Sequence, residues 1–192
     1  MLFRSPLLPQ RTTLAGFRRL LDDGVVRNVG VSNHSLERWR TAERLLGAPA
    51  LANQVRFNLA RPAPARDLIP YAAANDRLVM AYSPLAQGFL ANDDATSRGG
   101  GARRMNELSR ARNRELARPL RSAVDEIAAR HGATRAQVAL AWVVSHPNTV
   151  AIPGARTMEQ LEQNAAAADL VLDADELARL TTESGRLEAA IR

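Results

Sequence analysis

Short apolar runs closed by turn residues alternate along this chain with longer segments whose apolar residues recur every three or four positions. The first pattern is that of a strand and the second that of an amphipathic helix. Val25 to Val31, Leu51 to Leu59, Leu78 to Tyr82 and Thr149 to Ile152 are the strand-like runs, each ending in polar or glycine-containing sequence. Helical spacing covers Leu14 to Asp23, Leu36 to Leu46, Ala65 to Asn75, a long pair across Asn113 to Ser145, Met158 to Ala168 and Asp175 to Thr182. Strands alternating with helices in this rhythm predict an α/β domain with a parallel sheet.

Local punctuation supports these boundaries. Thr134 with Gln137, and Thr157 with Gln160, are spaced as capping boxes, in which a threonine and a glutamine three residues on satisfy each other's backbone amides. Gly24, Gly47 and Gly132 fall just past helical patterns, where glycine takes the left-handed conformation at least cost. The segment from Ala91 to Arg112 is long, polar and broken by Gly99, Gly100 and Gly101. It predicts a mobile loop over about 89–112 inside a single domain spanning residues 1–192, rather than a linker between two domains.

Composition narrows the class. A chain of 192 residues, 46% hydrophobic, can bury a substantial core. No window reaches the roughly 20 apolar residues of a membrane span, and the start MLFRSPLLPQ is too short in its apolar part for a secretory signal, so the cytoplasm is the expected location. Cysteine is absent, which excludes disulfides and thiol chemistry. His34, His131 and His146 show no metal-ligand spacing, and no metal site is expected. The net charge of +6 comes entirely from arginine, with no lysine in the chain. The basic cluster from Arg98 to Arg121 lacks aromatic residues for base stacking, so the partner expected is a phosphate-bearing small molecule and not nucleic acid.

In parallel sheets ligands bind at the carboxyl ends of the strands, and here those ends are polar. The first strand closes in Ser32 and Asn33, the second bears Gln54, the third ends in Tyr82, Ser83 and a loop to Gly88, and the fourth in Gly154, Ala155 and Arg156. Taken singly these have structural readings: Ser32 and Asn33 could cap the next helix, Gln54 could satisfy a buried backbone group, and Tyr82 could be core. From Thr149 to Asn164 the sequence passes from strand through glycine into a helix, which predicts an anion site at the helix start, with Arg156 adding a planar donor fork.

Five blocks in order carry a resemblance. GVSNHS from Gly30, NQVRFNL from Asn53, AYSPLAQG from Ala81, AQVALAW from Ala136 and AIPGARTMEQLEQN from Ala151 resemble aldo-keto reductase signatures, and the likeness runs from about Thr13 to Leu180. The resemblance implies a (β/α)8 TIM barrel that binds NADP(H) and reduces aldehydes and ketones to alcohols. By position it places Ser32, Asn33 and Gln54 on the carboxamide of the nicotinamide and Tyr82 stacked on its ring. Ser83, Leu85, Gln87 and Gly88 fall on the pyrophosphate loop. Gly154, Ala155, Arg156, Gln160, Gln163 and Asn164 fall around the adenosine and its 2'-phosphate, with Arg156 the expected phosphate contact. Gln160 and Gln163 stand where some branches of the family carry arginine and glutamate.

The resemblance also implies an absence. The family's proton donor is a tyrosine beside a lysine paired with an aspartate, with a histidine orienting the carbonyl, and all four belong to the first half of the barrel. None has a matching position, so no residue is assigned as catalytic; His34 lies near the expected mouth and is the one conceivable substitute acid. The expected fold is a partial barrel, equivalent to strands five to eight with their helices: an open half-barrel of four parallel strands. Its uncovered face invites self-association or a partner chain. Three readings follow: a truncated and catalytically incomplete reductase, the C-terminal half of a split reductase, or a non-catalytic NADP-binding regulatory subunit. A small carbonyl substrate is expected only once an N-terminal half completes the site.

Overall fold

The computed structural model describes residues 2–3, 10–88 and 111–191. Five strands form one sheet in chain order, all parallel: β1 (Leu2–Phe3), β2 (Val29–Ser32), β3 (Ala50–Arg56), β4 (Leu78–Tyr82) and β5 (Thr149–Ile152). The expectation of four strands is corrected by β1, whose two residues pair with Gly30 and Val31. A run that short has no alternation from which a strand could be read.

Helices connect the strands: α1 (Gln10–Asp22), α2 (Leu36–Leu46), α3 (Leu68–Ala74), α4 (Ala111–Leu116), α5 (Arg118–His131), α6 (Arg135–Val144), α7 (Met158–Ala166) and α8 (Ala174–Ile191). Ser35 caps α2, accepting from Arg38 N–H at 3.4 Å, and Gly47 closes it at φ +62. A side chain at 47 would be strained by that φ and would also meet the Arg18 guanidinium, 2.1 Å from where a Cβ would stand. The Thr134–Gln137 capping box forms in full at α6.

Odd-numbered positions of β3 and β4 face the helices. Asn53, Val55, Val79 and Ala81 are buried there with Leu14, Trp39, Phe57, Leu120, Ile127 and Trp142. Trp39 Nε1–H donates to Ala50 O at 2.9 Å and Trp142 Nε1–H to Thr181 Oγ1 at 3.1 Å, so both indoles enter the core with their polar atom satisfied. The other face is thinly covered. In register across it lie Gln54, Met80 and Val150, and Leu78 and Val150 are 38% and 39% exposed.

Several boundaries differ from the sequence expectation. The first predicted strand starts at Val29 rather than Val25, because the chain leaves α1 through Gly24 at φ +69 and spends four residues in the turn. The helix expected over 65–75 is split into a 3-10 turn (Ala63–Arg66) and α3, which Asp67 caps by accepting from Leu68 N–H at 2.7 Å. The last helix runs nine residues past the expected Thr182, to Ile191. Residues 89–110 of the expected loop lie outside the described residues, while Ala111 and Arg112 open α4. Among the described residues no helix is long and apolar enough to cross a membrane.

Candidate functional site at the carboxyl ends of the strands

Pairing fixes which side chains meet. Ser32 lies opposite Gln54, and Arg56, Tyr82 and Ile152 form the next row across the sheet. The Gln54 carbonyl accepts from Asn33 N–H at 2.9 Å and from Ser32 Oγ at 3.0 Å. The Asn33 amide nitrogen donates to Ser32 Oγ at 3.3 Å, and its Oδ1 accepts from the Tyr82 hydroxyl at 3.1 Å. Four residues from three strands therefore form one chain of hydrogen bonds, Gln54 taking part through its backbone carbonyl. The capping role open to Ser32 and Asn33 falls to Ser35 instead. Tyr82 is not core: it is partly exposed and its hydroxyl lies at the rim.

The strand ends are also where backbone is held in left-handed geometry. Asn33 has φ 56, Ser83 φ 51, Ala86 φ 48 and Gly88 φ 90. Asparagine visits this region at modest cost, whereas serine and alanine do so only where their surroundings compel it. Two more such residues, Asp76 and Asn148, precede β4 and β5 at the opposite end of the sheet, so this geometry is not confined to the site.

Two buried asparagines do the compelling, and the sequence reading did not single them out. Asn53, on β3, accepts from His34 N–H at 3.4 Å and donates to His34 O at 2.9 Å, gripping the turn that displays Asn33. Asn58, just past β3, donates to Ser83 O at 2.8 Å and accepts from Ala60 N–H at 2.9 Å. Their signal was present: two amides inside a run otherwise patterned as buried strand, where a polar group persists only if fully hydrogen-bonded.

His34 is not at the mouth. It is 4% exposed, its Nδ1–H turned back onto Ser32 O at 3.0 Å. Burial pushes its pKa down, reinforced by the Arg38 charge and partly opposed by the Ser32 contact. A buried, neutral imidazole committed to the backbone is a poor proton donor, which corrects the idea of a substitute acid. Tyr71 is no better placed: its hydroxyl bonds to Glu43, and burial, first, and then that carboxylate push its pKa up. Glu43 also accepts from Ala50 N–H at 3.2 Å and from Arg77 Nε at 2.7 Å, so the group ties together the amino-terminal ends of β3 and β4.

The β5 loop stands beside Tyr82 through the pairing of Tyr82 with Ile152. Gly154, Ala155, Arg156 and Gln160 are exposed. Thr157 caps α7 by accepting from Gln160 N–H at 3.2 Å. Gln160, however, accepts from Arg156 N–H at 2.9 Å rather than from Thr157, so only half of the expected capping box forms. The Asn164 amide donates to Gly154 O at 3.5 Å and the Gln163 amide to Glu159 at 3.2 Å. The loop is thus tied to its own helix, and the Arg156 side chain projects into solvent. In the β4 loop, Leu85 packs partly against the core, and Gln87 contributes described backbone only, its side chain lying outside the described residues.

An open groove on the outer helices is lined by Arg114, Arg118, Arg121 and Arg135 with Glu115 and Asp125. It shares no residue with the strand ends, and Arg118 pairs with Glu115 at 3.4 Å and Arg135 with Asp125. It is a solvated charged surface.

Residues 5–183 match the Aldo/keto reductase family. An uncharacterized oxidoreductase of Mycobacterium tuberculosis, Rv2298, is 47% identical over 178 residues, 92% of this chain and 55% of that protein. Methylglyoxal reductase YeaE of Escherichia coli is 36% identical over 169 residues, 88% of this chain and 51% of that one. Among solved structures, the Klebsiella pneumoniae aldo/keto reductase crystallised with NADP and acetate is 31% identical, with a TM-score of 0.65 over 95% of this chain and 56% of that one. The chain spans about half the length of the relatives it matches.

Proposed function

Because this chain belongs to the aldo/keto reductase family, we propose that its strand ends hold NADP(H), and that it forms the C-terminal half of a reductase barrel. On this reading β2 to β5 are the fifth to eighth barrel strands, and β1 is the end of the fourth. The observation that carries it is the hydrogen-bonded row Tyr82, Asn33, Ser32 and Gln54. A primary carboxamide presents two donors and one acceptor, and the side-chain amides of Asn33, just past β2, and Gln54, on neighbouring β3, are groups of the matching kind. The cofactor, when bound, supplies hydride to a carbonyl carbon. Asn33 and Gln54 orient the nicotinamide, and the Tyr82 ring fixes which of its faces is presented. The β5 loop, with Arg156, takes the phosphate of the adenosine end. Titrating NADPH into the purified chain tests the reading; no saturable binding would end it.

Nothing in the described residues supplies the proton that carbonyl reduction needs. Tyr71 and Tyr82 are the only tyrosines in the chain and lysine is absent. Tyr71 is engaged at the far end of the sheet and Tyr82 lies on the cofactor side. We infer that this chain alone turns over aldehydes and ketones little or not at all. The exposed apolar positions Leu78 and Val150 on β4 and β5 favour completion by the other half of a barrel. Mixing the chain with a polypeptide carrying the first half of the Mycobacterium tuberculosis relative should restore NADPH oxidation by aldehydes. Equal turnover with and without that half would contradict this.

A further inference from the structure

Asn58 is 1% exposed, yet its amide spans two loops. Its Oδ1 serves its own turn through Ala60 N–H, a turn already closed by the backbone pairing of Asn58 with Arg61. Its Nδ2 crosses to the next strand and donates to Ser83 O at 2.8 Å. The same carbonyl accepts from Ala86 N–H at 2.9 Å, closing the turn that begins the loop to Gly88. Ser83 holds φ 51 and Ala86 φ 48, conformations that L side chains rarely adopt unaided. A single buried amide proton therefore sits at the point where a strained loop departs from β4.

We propose that Asn58 is a positioning residue for the loop 83–88. By pinning the Ser83 carbonyl it keeps Ser83 left-handed and sets the direction in which the Leu85 and Gln87 amides are presented to the pyrophosphate, since Pro84 carries no N–H and the Ala86 and Gly88 amides close turns onto Ser83 O and Leu85 O. Alternation of left- and right-handed residues is how backbone amides converge into an anion-binding concavity. Asn58 itself, buried beneath the loop, touches no ligand. The inference rests on the NADP(H) reading above for the identity of the ligand, though not for the effect on the loop.

The test uses two variants and two ligands. Asn58→Ala removes both bonds; Asn58→Asp keeps the acceptor toward Ala60 but loses the donor toward Ser83, and carries the test should the alanine variant fail to fold. Affinity is measured for NADPH and for adenosine 2'-monophosphate, which reaches only the adenosine end. Amide exchange of residues 85–88 is followed in the free protein. Both variants should bind NADPH about three- to tenfold more weakly, the worth of one net hydrogen bond. They should bind adenosine 2'-monophosphate as the parent does, and exchange faster at 85–88. Unchanged exchange there, or equal weakening of both ligands, overturns the proposal. A parent chain that binds no NADPH sinks the cofactor reading, and the exchange result still decides whether Asn58 holds the loop.

Discussion

The Tyr82 hydroxyl reaches over the strand between them to donate to Asn33 Oδ1 at 3.1 Å, joining positions 49 apart in sequence. The bond holds the ring against the same amide that is proposed to meet the nicotinamide. Tyr82→Phe keeps the ring and loses only an exposed hydrogen bond; NADPH affinity should stay within about threefold. Tyr82→Ala removes the stacking surface, and an aromatic pair of this kind is worth about 0.5 to 1.5 kcal/mol, a loss of up to about tenfold. Fluorescence titration of both variants checks this, and a larger loss in Tyr82→Phe than in Tyr82→Ala would refute it.

Arg156 projects from the exposed β5 loop while its backbone N–H is taken by Gln160. Only its guanidinium is therefore offered to a ligand. Arg156→Ala should weaken NADPH by about 1.5 to 3 kcal/mol and NADH much less, since only NADPH carries the 2'-phosphate. Equal losses for the two cofactors would show that Arg156 does not read that phosphate.

Stability should fall on mild acidification. His34 is buried and His146 half-buried; desolvation pushes the pKa of each below the ordinary 6.5, against smaller opposing backbone contacts. Nδ1–H of His146 is bonded to Trp142 O at 2.8 Å, and its ring lies 5.0 Å from Phe57 and 4.7 Å from Trp142. With native pKa values below the unfolded one, the unfolded chain takes up protons first. The penalty is absent above about pH 7, begins as pH falls through the unfolded value near 6.5, and grows until the lowered native values are reached. Glu126, whose carboxyl is held below 4.5 chiefly by its bonds to Arg179 and then Ser122, adds the same sign of effect in a more acidic window. The thermal midpoint should drop between about pH 6.5 and 5.5, less steeply in His146→Gln. A midpoint that is flat or rises over that interval would contradict the assignment.

Glu176 is 2% exposed and has three partners at two helix ends. It pairs with Arg130 and His131 at 2.9 Å each, accepts from Asp173 N–H at 3.0 Å, and donates its own N–H to Asp173 Oδ1 at 2.8 Å. The last two bonds are a reciprocal capping box opening α8. Glu176→Ala should cost about 2 to 3 kcal/mol in urea unfolding, more than a cap alone and less than a fully buried pair, because Arg130 stays largely in water. A loss under about 0.5 kcal/mol would mean that the cluster is not structural.

Strands β4 and β5 and helix α2 stand where apolar spacing put them, and the polar residues closing β2, β3 and β4 do meet. These features are local: they depend on period, caps and strand ends. What the sequence hid depends on tertiary partners. The end of α8 was missed because Ser184 and Glu188 occupy core positions, bonded to the Leu59 carbonyl and to Arg66, so the apolar stripe is interrupted where the helix continues. Asn53 and Asn58 were passed over because what matters about them is which backbone on a neighbouring strand each one grips. The sequence neighbours of His34 place it at the mouth, but its ring is buried and bonded back to Ser32 O.

On the proposed reading, one NADP(H) site is assembled from the carboxyl ends of β2 to β5. Hydrogen exchange of the chain with and without saturating NADPH tests it most directly, because it reports each segment separately and needs no turnover. Protection should appear together in four segments, at residues 32–35, 54–58, 82–88 and 153–160, and be absent from α8. Protection in none of the four, or confined to the arginine-lined groove of α4 and α5, would contradict it.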